Sequence, residues 1–175
     1  MIIDIRTGQT VNERFKALNR EDLITYDIKK AKDSWQFDWK RPFSRDSIVF
    51  GLFAEGENRV QGLLALYPNN DPDFLCVDLD WVESAPHNKR IALDRKYVGV
   101  GKTLVSFACW YSLEHFDGHV MLSSKSSKVP LYLGMGALHG GFQSEEEGGH
   151  PMIFYPQSSK KNVERYLLGG VTWIR

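Results

Sequence analysis

Three apolar runs separated by polar turns stand near the middle of the chain. They cover residues 47–54, 59–67 and 74–83, and the connecting residues 55–58 and 68–73 are rich in Gly, Asn, Asp and Pro. Runs of this length bounded by turn residues are typical of strands, and short connections favour antiparallel neighbours. The middle of the chain therefore predicts an antiparallel meander of three strands.

A helical pattern follows the meander. Val100, Leu104, Ala108 and Tyr111 recur at helical spacing within residues 97–114. Further apolar residues between them widen the stripe beyond what a surface helix needs. This segment is predicted to be a central, mostly buried helix.

The remaining elements are shorter. Thr10 and Glu13 have the spacing of a capping box, which favours a helix from this point, and the aromatic and polar residues around Pro42 indicate a structured loop. Strands are predicted over 2–6, 119–123 and 151–155, helices over 10–19, 21–32, 129–135 and 160–168, and the loop over 34–43. Together these elements predict an α/β (α+β) class: a mixed, mostly antiparallel central sheet flanked by helices, forming one domain over residues 1–175.

Charge and composition exclude several classes of function. The chain has 22 basic and 22 acidic residues and 42% hydrophobic content, so we expect no binding to nucleic acid or to an anionic membrane. Cys76 and Cys109 are expected to be reduced, buried thiols. Without a signal-peptide pattern at the N-terminus or an apolar run of about 20 residues, a cytoplasmic location is expected.

The start of the central helix carries the clearest chemical signal. Residues 96–103 read Lys-Tyr-Val-Gly-Val-Gly-Lys-Thr. A helix N-terminus exposes unpaired N–H groups and partial positive charge, and Gly99 and Gly101 would let a phosphate approach the backbone closely. Lys102 adds a charge and Thr103 a hydroxyl. The segment predicts a site for a diphosphate.

Two other interpretations of this turn remain open. Gly101-Lys102-Thr103 matches the end of the nucleotide-binding P-loop, G-x-x-x-x-G-K-[ST], but Lys96 stands where the first glycine belongs and no apolar strand enters the turn through residues 92–95. Alternatively, the glycines serve only the entry into the helix.

The spacing Lys96-x-x-Gly99-x-Gly101 resembles the [QR]-x-x-G-x-[GA] motif of the GNAT superfamily of N-acetyltransferases, and the resemblance extends over residues 59–155. Tyr132 followed four residues later by Gly136 is similar to a second feature of that superfamily. Two residues depart from its pattern, because Lys96 replaces Gln or Arg and Ala137 replaces a common aromatic.

The resemblance implies acetyl-CoA as co-substrate and an amine as acceptor. It implies that Trp81 and Val82, on a splayed strand that ends at Glu83, pair with the pantetheine arm. It also implies that Tyr132 protonates the leaving thiolate or hydrogen-bonds its sulfur; in the alternative interpretation, Tyr132 is a half-buried packing residue of a short helix. The first two helices and the aromatic loop would wall the acceptor site, and a homodimer is possible. The backbone around the pyrophosphate would belong to Val98, Gly99, Val100, Gly101, Lys102 and Thr103.

Glu83 is the candidate general base, because a neutral amine is needed for attack on a thioester. Strict alternation along the strand puts Glu83 on one face with Val77, Leu79 and Trp81, and puts Asp78 and Asp80, expected to be ordinary polar residues, on the other. A carboxylate at the end of an apolar face should have a raised pKa. In the alternative interpretation, Glu83 is a solvated strand-end carboxylate or pairs with Lys89 or Arg90.

Other polar clusters give weaker signals. His115 and His119 have i, i+4 spacing, but a predicted turn at Asp117-Gly118 separates them, so no metal site is expected. Residues 123–128 are either a contact for the adenosine end of the coenzyme or a plain polar loop, and residues 145–149 are expected to form a hairpin tip. The predicted function is transfer of an acetyl group from acetyl-CoA to a primary amine in a ternary complex. A non-catalytic acyl-CoA-binding or protein-interaction module and, less favoured, a P-loop nucleotide hydrolase are the alternatives.

Overall fold

A computed structural model describes residues 1–32, 34–141 and 149–174. Most of the hairpin tip predicted at 145–149 lies outside these residues. The strands are β1 (Ile2–Asp4), β2 (Thr10–Val11), β3 (Glu13–Leu18), β4 (Ile48–Ala54), β5 (Val60–Asn69), β6 (Cys76–Ser84), β7 (Tyr97–Val98), β8 (Val120–Ser124), β9 (Leu138–His139), β10 (His150–Phe154) and β11 (Thr172–Trp173). The helices are α1 (Arg20–Thr25), α2 (Val100–His115), α3 (Val129–Gly134) and α4 (Pro156–Tyr166).

Two sheets organise these strands. The large sheet has the order β11-β3-β4-β5-β6-β8-β10-β9, and the small one has the order β2-β1-β7. In the large sheet β11 pairs with β3 in parallel and β6 pairs with β8 in parallel, whereas the other neighbours are antiparallel. The predicted class is therefore confirmed: a mixed, mostly antiparallel sheet with helices against it.

The large sheet buries an apolar layer on each face. On one face α2 packs closely across β5 and β6. The absence of a side chain at Gly62 permits this, since a Cβ there would lie 2.8 Å from side-chain atoms of both Leu104 and Val100. On the other face a second cluster forms around Trp35, Trp39 and neighbouring residues of α1, β4 and β5. The loop predicted over 34–43 thus contributes core residues to the face opposite α2.

The helix predicted over residues 10–19 is wrong, because this segment forms β2 and β3. Burial in β3 alternates, with Glu13 and Phe15 buried and their neighbours more exposed, and Phe15 stacks on Phe107 of α2 at a ring distance of 4.1 Å. The capping box belongs instead to Asn19 and Asp22, which begin α1.

Two other helix boundaries differ from the prediction. The helix predicted over 21–32 ends at Thr25, two residues before Asp27 takes a positive φ of 51°. The last helix begins at Pro156 rather than at residue 160, since proline fits the first helical position, where no N–H is needed.

Candidate active site

The large sheet opens between its two central parallel strands. β6 and β8 pair at Val77 with Val120 and at Asp78 with Met121, and no further pairing between them is found among the described residues. Both strands continue, β6 to Ser84 and β8 to Ser124. Their facing edges therefore diverge, and main-chain groups there are available to an extended ligand.

A β-bulge accompanies the divergence. Leu79 pairs with Leu66 and Trp81 with Ala65, so Asp80 is an extra residue without a partner on β5. The bulge reverses the alternation, because Val77 and Leu79 join the cluster beneath α2 whereas Trp81 joins the cluster on the opposite face. The prediction that Glu83 shares a face with Val77 and Leu79 is wrong for this reason.

The turn before α2 leaves the helix N-terminus open. Gly99 is the N-cap, with φ at +88°, and a Cβ there would lie 2.7 Å from the carbonyl oxygen of Met1. No side chain among the described residues caps this end, and its first turn holds no acid. The early N–H groups of α2 thus point outward without a side-chain acceptor, which suits an anion.

A cavity of about 640 Å³ connects the open strand edges with this helix end. The two carboxylates among its described lining residues are Asp80 and Glu83. Six cationic side chains also line it, although the chain as a whole has no net charge. They are Lys89, Arg90, Arg95, Lys102, Lys125 and Lys128.

The structure brings most of the predicted coenzyme residues together. Trp81, Val82, Gly99, Val100, Gly101 and Lys102 all line the cavity. Val98 lies in β7, outside the lining. Thr103 is fully buried, and its amide donates to Gly99 O at 3.0 Å while its hydroxyl accepts a hydrogen bond from the Met1 nitrogen at 2.7 Å. The amide and the hydroxyl of Thr103 are thus already paired, and its contact with phosphate stays a prediction.

Lys96, at the first position of the motif, points away from the cavity. Its ammonium group pairs with the carboxylate of Glu57, which also accepts a hydrogen bond from the Tyr97 hydroxyl at 2.8 Å. The ammonium beside it contributes to lowering the pKa of the Glu57 carboxyl, against the effect of burial. Lys96 therefore anchors the loop before α2.

Glu83 is 6% exposed, and both of its oxygens accept hydrogen bonds. Oε1 accepts from the Gln36 amide at 2.7 Å and from Lys89 Nζ at 2.7 Å. Oε2 accepts from Trp39 Nε1 at 3.0 Å and from the Phe37 amide at 3.3 Å. The salt bridge with Lys89, one of the alternatives at the sequence level, is formed. The assignment of Glu83 as general base stays a prediction, and these four contacts occupy the lone pairs that a base needs.

Asp80, expected from the sequence to be an ordinary polar residue, lines the cavity. Its Oδ2 accepts a hydrogen bond from the Ser47 hydroxyl at 2.9 Å. Asp78, two residues earlier, is half-buried and outside the cavity lining, and burial together with the charge of Asp80 raises its pKa. The bulge that brings Asp80 to the cavity depends on how β6 pairs with β5. The local sequence therefore holds no pattern that could have identified this residue.

Tyr132 of α3 also lines the cavity. The residue is 6% exposed, and no described residue forms a hydrogen bond with its hydroxyl. Burial raises the pKa of this phenol above its ordinary value of 10.0. The hydroxyl is thus protonated at neutral pH and can donate a hydrogen bond into the cavity.

The other predicted polar groups divide between cavity and surface. Ser123, Ser124, Lys125 and Lys128 line the cavity. Burial lowers the pKa of His87 to about 4, and this neutral ring forms a hydrogen bond with Gln61 outside the cavity lining.

Within residues 1–32, 34–141 and 149–174, no group of three or more possible metal ligands occurs. In the same residues, no helix combines the length and the apolarity needed to cross a membrane.

The sheet topology excludes a P-loop. A P-loop follows a parallel strand of the central sheet, whereas the strand before this turn, β7, pairs antiparallel with β1 in the small sheet. The turn at Gly99 and Gly101 is therefore not a P-loop.

No family model and no curated protein matches the sequence, but solved structures match the fold. FeeM, an N-acyl amino acid synthase from uncultured soil microbes, has a TM-score of 0.58 and 12% identity over 90% of this chain and 98% of that chain. The Bacillus subtilis N-acetyltransferase YlbP, solved with coenzyme A, has a TM-score of 0.56 and 14% identity over 85% and 98%. Nourseothricin acetyltransferase has a TM-score of 0.53 and 14% identity over 81% and 95%. This chain therefore has the fold of the GNAT superfamily of N-acetyltransferases.

Proposed function

We propose that this protein transfers an acetyl group from acetyl-CoA to a primary amine, with both substrates bound together. The observation that carries the proposal is the single cavity that joins three features: diverging strand edges, an uncapped helix N-terminus and six cations. In coenzyme A a pyrophosphate joins an amide-containing arm to an adenosine that bears a further phosphate. The arm suits the diverging strand edges, the pyrophosphate suits the helix N-terminus, and the cations suit the phosphate charges. Coenzyme A or acetyl-CoA was present in two of the similar structures.

The reaction requires one new bond and two proton transfers. The amine nitrogen attacks the thioester carbonyl carbon, a C–N bond forms and the C–S bond breaks. The amine loses a proton, and the leaving thiolate gains one. The products are a neutral amide and a thiol, so a proton acceptor and a proton donor held at the cavity would accelerate the two transfers.

Asp80 is the proton acceptor in this proposal. Asp80 and Glu83 are the carboxylates at the cavity, and Glu83 already accepts four hydrogen bonds, one of them from an ammonium group. In the described contacts, Asp80 accepts one hydrogen bond, from the Ser47 hydroxyl to Oδ2, which leaves Oδ1 available. A carboxylate with an unoccupied oxygen is the better acceptor.

Tyr132 is the proton donor in this proposal. Its hydroxyl stays protonated through the physiological pH range because burial raises its pKa. Tyr132 lines the cavity from α3, whereas Asp80 lines it from β6, so donor and acceptor are carried by different elements.

A second candidate, a non-catalytic acyl-CoA-binding module, is favoured by one observation. The carboxylate predicted from the sequence as the base, Glu83, is engaged in structural contacts. Such a module would bind acetyl-CoA in the same cavity without transferring its acyl group.

A thermal-shift comparison with acetyl-CoA, ATP with Mg²⁺ and buffer tests binding. Acetyl-CoA at about 100 times its dissociation constant should add about 2.7 kcal/mol of stability, which corresponds to a rise in Tm of about 5–10 °C. No shift with acetyl-CoA would refute the proposal. A screen of primary amines and lysine-containing peptides for acetyl-CoA-dependent thiol release then separates the enzyme from the non-catalytic module, which would show the shift and release no thiol.

A further inference from the structure

Glu83 connects two segments that are far apart in the sequence. Its carboxylate lies on β6 and receives hydrogen bonds from Gln36, Phe37 and Trp39, which are 44–47 residues away. Lys89 pairs with the same carboxylate at 2.7 Å and also donates to the Ser34 carbonyl at 3.4 Å. Residues 34–39 are thus linked to β6 through Glu83 by four donors, those of Gln36, Phe37, Trp39 and Lys89.

The loop depends on these bonds for its position. Residues 36–41 form no helix or strand. In the described hydrogen bonds, the amides of Gln36 and Phe37 donate to Glu83 and to no other group. Trp39 is 2% exposed and crosses the ring of Trp81 edge-on at 5.8 Å, so packing reinforces the link.

The same loop forms part of the cavity wall. Gln36 and Phe37 line the cavity, and the Phe37 ring stacks on Trp81 at 5.1 Å. The ammonium of Lys125, which follows β8, lies 5.6 Å from the centre of the Phe37 ring. Phe37 therefore contacts residues from both sides of the opening between β6 and β8.

We propose that Glu83 is a positioning residue: with Lys89 it clasps residues 34–39 to β6 and so places Phe37 in the wall that receives the amine. The inference rests on the proposed function for the identity of that amine site. Glu83 touches no reacting atom in this account. It acts through Phe37, by fixing the distance between the aromatic wall and the bulge at Asp80.

Hydrogen exchange of the whole protein tests the clasp without any acceptor. In Glu83→Gln the amides of Gln36 and Phe37 should exchange at least about tenfold faster than in the wild type, because the amide side chain offers one acceptor oxygen in place of two. Lys40→Gln, an exposed position at the end of the same loop, is the matched control and should leave these amides unchanged. Unchanged exchange in Glu83→Gln would overturn the clasp.

Kinetics distinguish positioning from a base. With the best amine from the thiol-release screen, Glu83→Gln should raise the KM for the amine about tenfold, retain most of kcat and keep the acidic limb of the pH profile. Lys40→Gln, the matched control, should keep wild-type KM and kcat. A loss of kcat together with loss of the acidic limb would make Glu83 the base and overturn the inference. A failure to bind acetyl-CoA would instead refute the proposed function, whereas the exchange result stands by itself.

Discussion

The two ends of the cavity are built from different materials. The end proposed to bind the coenzyme, called the coenzyme end, is formed mainly by backbone: Gly99 takes a positive φ, the first amides of α2 face outward, and the residues involved are neighbours in the chain. At the end proposed to receive the amine, called the acceptor end, side chains from distant segments meet, and a buried carboxylate holds them. Changes of single side chains should therefore have modest effects at the first end and large effects at the second.

The largest effect is expected from Asp80→Asn. An amide cannot accept the amine proton, so kcat should fall by about 10²- to 10⁴-fold while the affinity for acetyl-CoA stays near wild type. Steady-state kinetics and calorimetry measure the two quantities. Asp78→Asn is the matched control on the same strand, and should leave kcat within a few-fold because Asp78 lies outside the lining. Comparable loss in both variants, or none in Asp80→Asn, would contradict the assignment.

The next effect is expected from Tyr132→Phe. Removing the hydroxyl should lower kcat by about 10²-fold, at the lower end of the range for a positioned acid. The pH dependence follows from burial, which raises the pKa of the phenol above its ordinary value of 10.0. The phenol can donate a proton only while it is protonated. The rate of the wild type should therefore show no basic limb from this group below pH 10. Wild-type turnover in Tyr132→Phe would remove the tyrosine from the mechanism.

The smallest effect is expected at the coenzyme end, from Lys102→Met. One of six cations is lost there, so the affinity for acetyl-CoA should fall about three- to fivefold, with a weaker dependence of binding on salt. Lys161→Met, exposed on α4, is the control and should change neither quantity. A loss of a hundredfold in Lys102→Met would show that a side chain, and not the backbone, dominates phosphate binding.

The same contrast explains what the sequence could predict. The meander, α2 and the glycine turn are encoded by neighbouring residues, so periodicity and turn chemistry identify them. β3 was mistaken for a helix because Thr10 and Glu13 imitate a capping box, whereas the packing of Phe15 against Phe107, 92 positions away, makes the segment a strand. Long-range packing of this kind overrides local propensity.

The acceptor end was missed for a related reason. The bulge at Asp80 depends on how β6 pairs with β5, and strict alternation assigned Glu83 to the wrong set of neighbours. The contacts of Glu83 with Gln36, Phe37 and Trp39 cross more than 40 positions. Sequence reasoning singled out Glu83 and named Lys89, six residues away, as a possible partner, but it could not supply the distant partners in residues 36–39.

The central claim is that the turn opening α2 binds the pyrophosphate of acetyl-CoA. Isothermal titration of acetyl-CoA into the wild type, Gly101→Val and Gly134→Val tests it most directly. A Cβ at Gly101 has no neighbour closer than Ser84 Oγ at 3.8 Å, so the variant should fold, and Gly134, with nothing within 4 Å, controls for a side chain added to a helix. The account predicts binding to the wild type and Gly134→Val, and at least about tenfold weaker binding to Gly101→Val because its methyl groups block the approach to the backbone. Equal affinity in all three proteins, or no binding to the wild type, would contradict it.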